Sequence, residues 1–151
     1  MGGLGVKFDG YGFGKYLYER KRWVVFLAPN QSNLGTCVVV LKRREEFLGN
    51  LKKDEWDEML LIISELENAV REAFGAAMFN WGVLLNSFYR ENTSPPQLHW
   101  HFIPRYRNEV VVNGEVFDDP FFGYMRPRPP RNISEETLQE IRNKMLAWIK
   151  R

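Results

Sequence analysis

Two histidines stand two positions apart in Pro95-Pro96-Gln97-Leu98-His99-Trp100-His101-Phe102-Ile103-Pro104-Arg105-Tyr106, and the chain has no others. Read as a strand, the stretch puts Gln97, His99, His101 and Ile103 on one face and Leu98, Trp100 and Phe102 on the other. A rise of about 3.3 Å per residue sets the imidazoles roughly 6 to 7 Å apart at their bases, so both can touch one small group such as a phosphate. Imidazole titrates near neutrality, so one ring can be a neutral nucleophile while its neighbour donates a proton. A phosphoryl centre suits the pair: one ring attacks phosphorus, the other protonates the leaving oxygen, and water then cleaves the phosphoryl-histidine. Charge builds on the non-bridging oxygens and needs donors. Asn86, Thr93 and Ser94, in the stretch leading into the strand, carry suitable groups. Two blander readings use the same residues, a half-exposed surface pair or part of a zinc site. Zinc commonly takes four ligands, and neither a third histidine nor a Cys-x-x-Cys is present.

Other elements must hold this strand in place. Two prolines fix its approach, and Pro104 is expected to end its free ladder pairing. Arg22–Ala28 and Thr36–Lys42 are aromatic and β-branched, and the short turn Asn30-Gln31-Ser32-Asn33 between them makes an antiparallel pair. Asp54 is a candidate N-cap for a long helix carrying Trp56, Met59, Leu60, Ile63, Leu66, Val70, Ala73 and Phe74 as its core stripe, ended by Gly75. Met78–Leu85 reads as a third strand and residues 86–96 as a loop. Asn113-Gly114 marks a hairpin turn, and Ser134 caps a closing helix with Leu138, Ile141, Met145, Trp148 and Ile149 inward. Together these predict an α+β fold: an antiparallel sheet of about five strands, one long helix and a C-terminal helix.

Composition narrows the function classes. A chain of 151 residues that is 44% hydrophobic and 15% aromatic can bury one core. Lys and Arg outnumber Asp and Glu by only 21 to 19, which argues against a DNA-binding surface while permitting a local nucleotide pocket. No apolar run reaches the roughly 20 residues of a membrane span. The lone Cys37 cannot form an internal disulfide and reads as a small core residue, so a reducing, cytoplasmic setting is expected. Glycines at 2, 3, 5, 10, 12 and 14 lack dinucleotide-loop spacing; residues 1–21 read as a flexible or irregular leader and 22–151 as a single domain. Arg126, Arg128 and Arg131 could reach phosphates or belong to a solvated Pro-rich tail. No cluster of acidic residues marks a magnesium site, so no metal is built in; magnesium would enter, if at all, with the substrate.

At this point the residues resemble the histidine triad (HIT) family. Gln97-Leu98-His99-Trp100-His101-Phe102-Ile103 is similar to its His-x-His-x-His motif, with Gln97 in the first place. Gly35–Arg43 is similar to a core strand of the family. Asn86, eleven residues before the motif, falls where the family places a phosphate-contacting Asn or Gln. Ser94, three before it, matches a Ser or Thr, and Pro104-Arg105 matches the common ending. The resemblance implies that His99 attacks the α-phosphorus of a nucleotide and that His101 contacts the bridging and leaving oxygen. It implies that Gln97 supports the site, partly through its carbonyl on the other ring nitrogen of His99. Thr93 and Thr36 depart from the Gln and His common at their positions. Asn30 lies where the family touches ribose. The Trp between the histidines leans toward dinucleoside polyphosphate substrates. A homodimer, a small-molecule nucleotide partner and no required cofactor are also implied. The competing expectation is a non-catalytic nucleotide-binding or interaction protein of the same fold, kept alive by Gln97. If Gln97 only supports, Gln97→His should be tolerated.

Overall fold

The structure is a computed structural model and describes residue 8 and residues 10–92 and 94–150. Five strands form one sheet: β1 (Lys15–Glu19), β2 (Trp23–Leu27), β3 (Cys37–Leu41), β4 (Met78–Gly82) and β5 (His99–Arg105). Their order is β1-β2-β3-β5-β4, with every neighbouring pair antiparallel. The histidine strand β5 therefore lies inside the sheet, Val40 opposite His99 and Val38 opposite His101. A long helix α1 (Lys53–Phe74) links β3 to β4, and a short helix α2 (Asn86–Glu91) links β4 to β5. The hairpin β6 (Val110–Val112) and β7 (Glu115–Phe117) and the closing helix α3 (Glu135–Leu146) complete it. The expected α+β architecture is thus observed, including the Asn113-Gly114 turn with both φ angles positive, at 51° and 78°.

Both faces of the sheet are covered, which explains why β2 and β3 are continuously apolar rather than alternating. Trp23, Val25, Leu27, Cys37, Val39 and Leu41 join the core under α1 and α3. Val24, Phe26, Val38 and Val40 face the other way, into a second cluster closed by Phe8 and Phe13. Burying a phenylalanine stabilises by about 1.5–3 kcal/mol, so these two rings have reason to stay. The expected leader is corrected accordingly: residues 15–19 are an edge strand, and the Gly-rich segment before them is packed on the sheet. The remaining leader residues, 1–7 and 9, lie outside the described residues.

Other expectations shift for local reasons. Helix α1 begins with Lys52 as N-cap, not Asp54, and the Glu55 carboxylate accepts the Lys52 N–H at 2.8 Å. Its buried stripe is Met59, Ile62, Leu66, Ala69, Val70 and Phe74, leaving the expected core residues Trp56 and Leu60 exposed. The helix is apolar around more than one face, and the sheet covers only one. Gly75 ends it in the left-handed conformation, as expected. Strand β4 stops at Gly82 because Leu85 adopts a left-handed φ of 59°, turning the chain into α2 where only a loop was expected. Pro104 does not end β5. It pairs with Phe79 of β4, in a part of β5 that β3 no longer flanks, so its missing N–H leaves no ladder bond unmade. In α3 the Ser134 hydroxyl caps the Thr137 N–H as expected, whereas Trp148 lies beyond the helix and is half exposed.

After β7 the chain crosses back over the end of β5 as a strap, residues 118–131. Arg105 anchors it: two bonds to the Asp119 carboxylate at 2.7 and 3.1 Å, one to Asn80 Oδ1 at 2.8 Å and one to the Phe121 carbonyl at 2.6 Å. Burial would raise the Asp119 carboxyl, but these guanidinium bonds outweigh it and hold it below the usual range.

The aromatic segment is fixed in place by Gly14, whose φ is +120° and where an added Cβ would stand 2.1 Å from the Leu27 carbonyl oxygen. Backbone cannot move aside as a side chain can. Gly14→Ala should therefore lower stability by about 1–3 kcal/mol. Gly12→Ala, with a positive φ but open space around it, should cost on the order of 1 kcal/mol. Thermal melts of the two variants check the order; equal losses would show that the carbonyl clash is irrelevant.

Candidate active site

The exposed-outward residues of β5 open into a pocket of about 490 Å³ lined by His99, His101, Ile103, Ser94 and Asn30, by Tyr11 and Phe13 of the N-terminal segment, and by Ser87, Phe88 and Glu91 of α2. The imidazoles meet edge to face with centroids 4.9 Å apart. Phe13 and Phe88 pack against the His99 ring at 5.1 and 5.8 Å, and Tyr11 closes the group against Phe88 at 5.8 Å. Leucine 85's strained turn is what brings α2 over the histidines.

His99 Nδ1 lies 2.8 Å from the Gln97 carbonyl oxygen. A carbonyl accepts only, so Nδ1 carries the proton and donates it, which leaves the Nε2 lone pair for the pocket. Burial lowers the His99 pKa, opposed by that same carbonyl bond. Burial, and then the neighbouring His99, push His101 down to about 4. Both shifts favour neutral rings at pH 7.

Gln97 sits differently from its expected place. It is 1% exposed and its side chain turns away from the pocket. Its amide nitrogen donates to the carbonyls of Leu41 at 2.7 Å and Arg43 at 2.9 Å, and its amide oxygen accepts from Arg44 at 3.3 Å. Its side chain ties the start of β5 to the end of β3 and does not line the pocket, where a phosphate contact was expected. Asn86 is likewise placed away from the pocket, exposed at the first position of α2. Asn30 does line the pocket, though its Oδ1 already accepts the Ser32 and Arg131 N–H groups, both at 3.0 Å. Ser94 lines it too. Thr93 lies outside the described residues. Thr36 lines the pocket but spends its hydroxyl proton on the Asn33 carbonyl at 2.6 Å.

Sequence reasoning missed Tyr11, Phe13, Phe88, Ser87 and Glu91. The signal was present for two of them: Gly10-Tyr11-Gly12-Phe13-Gly14 alternates aromatic residues with glycines, a pattern suited to a chain lying close on other backbone. Glu91 is the one formally charged side chain among the lining residues described. Among the described residues no group of three or more His, Cys, Asp or Glu side chains is placed to hold a metal ion.

Comparison with known proteins bears on the family and the fold. A family model for the HIT domain matches residues 14–108. No curated protein matches the chain in sequence. Among solved structures, a histidine triad protein from Marinobacter aquaeolei is 21% identical with a TM-score of 0.67, over 92% of this chain and 90% of its own. A hypothetical histidine triad nucleotide-binding protein from Sulfolobus tokodaii is 16% identical, with a TM-score of 0.62 over 87% and 80%. A HIT family member from Bacillus subtilis is 18% identical, with a TM-score of 0.55 over 96% and 94%. At these identities the structural likeness concerns the fold.

Two measurements test the site. A histidine whose folded pKa lies below its unfolded value leaves stability intact above pH 6.5 and loses it as pH falls toward the folded pKa. His101 should therefore titrate by NMR near pH 4, and acid should destabilise the protein between pH 6.5 and 4 by at most about 1.4 kcal/mol per unit from this ring. A midpoint near 6.5 would refute the burial. Gln97→Glu removes both donors to buried carbonyls and should cost more than 2 kcal/mol, since each orphaned acceptor costs about 1–3. Gln97→His offers one N–H toward two carbonyls and should cost about 1 kcal/mol, read by chemical denaturation, whatever its effect on turnover.

Proposed function

The chain belongs to the HIT domain family, and on that premise we propose that it is a nucleotide hydrolase or transferase acting at the α-phosphate of a nucleotide conjugate of dinucleoside polyphosphate type. The observation that carries this reading is the 2.8 Å bond from His99 Nδ1 to the Gln97 carbonyl, which fixes the tautomer a nucleophilic imidazole needs. His99 Nε2 attacks the α-phosphorus, forming a P–N bond as the bond to the leaving oxygen breaks. The ring becomes cationic, and the Gln97 carbonyl, already accepting from Nδ1–H, stabilises that charge. His101 delivers a proton to the leaving oxygen. Burial and His99 hold its pKa near 4, and a phosphate's negative charge beside it raises that value. Water then attacks phosphorus, the P–N bond breaks, and the nucleoside monophosphate leaves. Ser94 and Ser87, which both line the pocket, supply hydroxyls to the non-bridging oxygens. The aromatic group Tyr11, Phe13 and Phe88 excludes water and gives a flat surface to the nucleoside. No cofactor is required, and magnesium enters only as part of the substrate.

The depressed His101 supports a second reading, a nucleotide-binding protein of the same fold without turnover, because the free site holds almost no acid at neutral pH. Turnover assays separate the two. With diadenosine tetraphosphate or adenosine phosphoramidate, His99→Ala should fall to background and His101→Ala should slow by about 10²- to 10⁴-fold. The His101→Ala loss should shrink when the leaving group is a nitrophenolate that needs no proton. Binding of AMP with no turnover of any of the three substrates would leave the binding reading standing and sink the enzyme.

We also take the protein to be a homodimer. Strand β4 forms one edge of the sheet, and Trp56 and Leu60 are exposed on α1, on the side where Trp56 meets Trp100 and Glu67 accepts from Trp81 of β4. The buried Trp100 Nε1 nearby has no partner within the described chain. A sedimentation mass near 17.9 kDa would overturn this.

A further inference from the structure

The strap after β7 carries three arginines, and the fold treats them differently. Arg128 donates to the Ser32 carbonyl at 2.7 Å and the Asp118 carbonyl at 2.9 Å, and pairs with the Asp118 carboxylate at 3.2 Å. Arg131 donates to the Val116 carbonyl at 2.7 Å, pairs with Glu115 and lies 4.1 Å over the Phe117 ring. Both are structural. Arg126 has no carboxylate within ion-pair range among the described residues. Its guanidinium lies 5.4 Å from the Phe121 ring centroid and 5.5 Å from that of Tyr124. Stacking of this kind holds a planar cation in place while its N–H groups stay available.

Arg126 and Tyr124 line a second cavity of about 320 Å³, with Asn33, Asn80, Arg105 and Ile103. Ile103 also lines the histidine pocket, so the two cavities meet across one side chain. It is the next outward residue after His101 along β5, about 6–7 Å on. Arg105 brings no free charge to this cavity, since Asp119 binds it in bidentate fashion. Its charge therefore comes from Arg126, while Asn80, with Oδ1 occupied by Arg105, keeps its amide N–H groups. A cation, an exposed aromatic face and an amide donor side by side suit a phosphate chain next to a base.

We propose that this second cavity is a subsite for the distal phosphates of an extended nucleotide conjugate, with Arg126 binding the phosphate chain and Tyr124 facing a second base. The proposal rests on the reading of His99 and His101 given above and extends it from the reacting phosphate to what selects the substrate. Loss of Arg126 then acts on long substrates only, and more strongly at low salt, because the guanidinium is exposed.

The test compares diadenosine tetraphosphate with adenosine phosphoramidate, whose leaving group is too small to reach the subsite. Arg107, stacked 4.7 Å over Phe122 and outside both cavities, serves as the control for net charge. Arg126→Ala should lower kcat/KM for the tetraphosphate about tenfold, mainly through KM, and leave the phosphoramidate and the melting temperature unchanged. Arg107→Ala should change neither substrate. No loss, an equal loss on both substrates, or the same loss in Arg107→Ala would overturn the subsite while leaving the chemistry at His99 intact. If the wild type turns over neither substrate, the enzyme reading fails and calorimetry still decides the subsite. Arg126→Ala should then weaken the tetraphosphate about tenfold and AMP not at all; equal affinities overturn it, and failure of both ligands to bind removes both proposals.

Discussion

Everything at the site depends on one residue bonding in two directions. Gln97 gives its carbonyl to His99 Nδ1 and its amide to the carbonyls of Leu41 and Arg43, where β3 runs out. The first contact fixes which imidazole nitrogen is free. The second fixes where the start of β5 sits relative to β3, and so where the imidazole is held. A histidine in this place could keep the first contact, which is main chain, but not both parts of the second. The main chain of Gln97 thus orients the ring while its side chain ties the two strands together.

The same sheet that orients the histidines also sets their charge. Because both faces are covered, His99 and His101 lie in an aromatic surround rather than in water, and neutral imidazole is the state that surround favours. Neutrality suits a nucleophile and handicaps an acid. The pocket adds no cation of its own among the lining residues described, so an anion entering it would meet no fixed positive charge and would itself favour protonation of His101. Arg126, without an ion pair among the described residues, lines the next cavity along β5, beyond Ile103. The histidine pair and this cation therefore lie in two cavities that share Ile103 of one strand.

That separation follows from the strap. Arg105 and Asp119 form a buried pair in which four of the five guanidinium N–H groups are bonded, and breaking it by removing one partner would strand a buried charge. The pair pins a Pro-rich segment that has no secondary structure of its own across the end of β5. Arg128 and Arg131 add further ties through main-chain carbonyls, leaving Tyr124 and Arg126 at the rim of the sheet face.

Much was legible in the residues themselves. The alternation of Leu98, Trp100 and Phe102 with His99 and His101 assigned the faces of β5, because the strand period of two is local. Gly75, Asn113-Gly114 and Ser134 marked their helix end, turn and cap through preferences carried by single residues. Other features needed the folded chain. Which stripe of α1 is buried could not be read from an apolar helix with more than one candidate face, so Trp56 and Leu60 fell outside the core. That Phe8 and Phe13 cover the second face depends on Val24, Phe26, Val38 and Val40 needing burial, a demand arising far along the chain. Asn86 and Gln97 share the spacing of ligands, yet the left-handed turn at Leu85 and the open carbonyls of Leu41 and Arg43 direct them elsewhere. Spacing along a chain determines which residues can be near one another; only the competition among buried groups for partners decides where each side chain points.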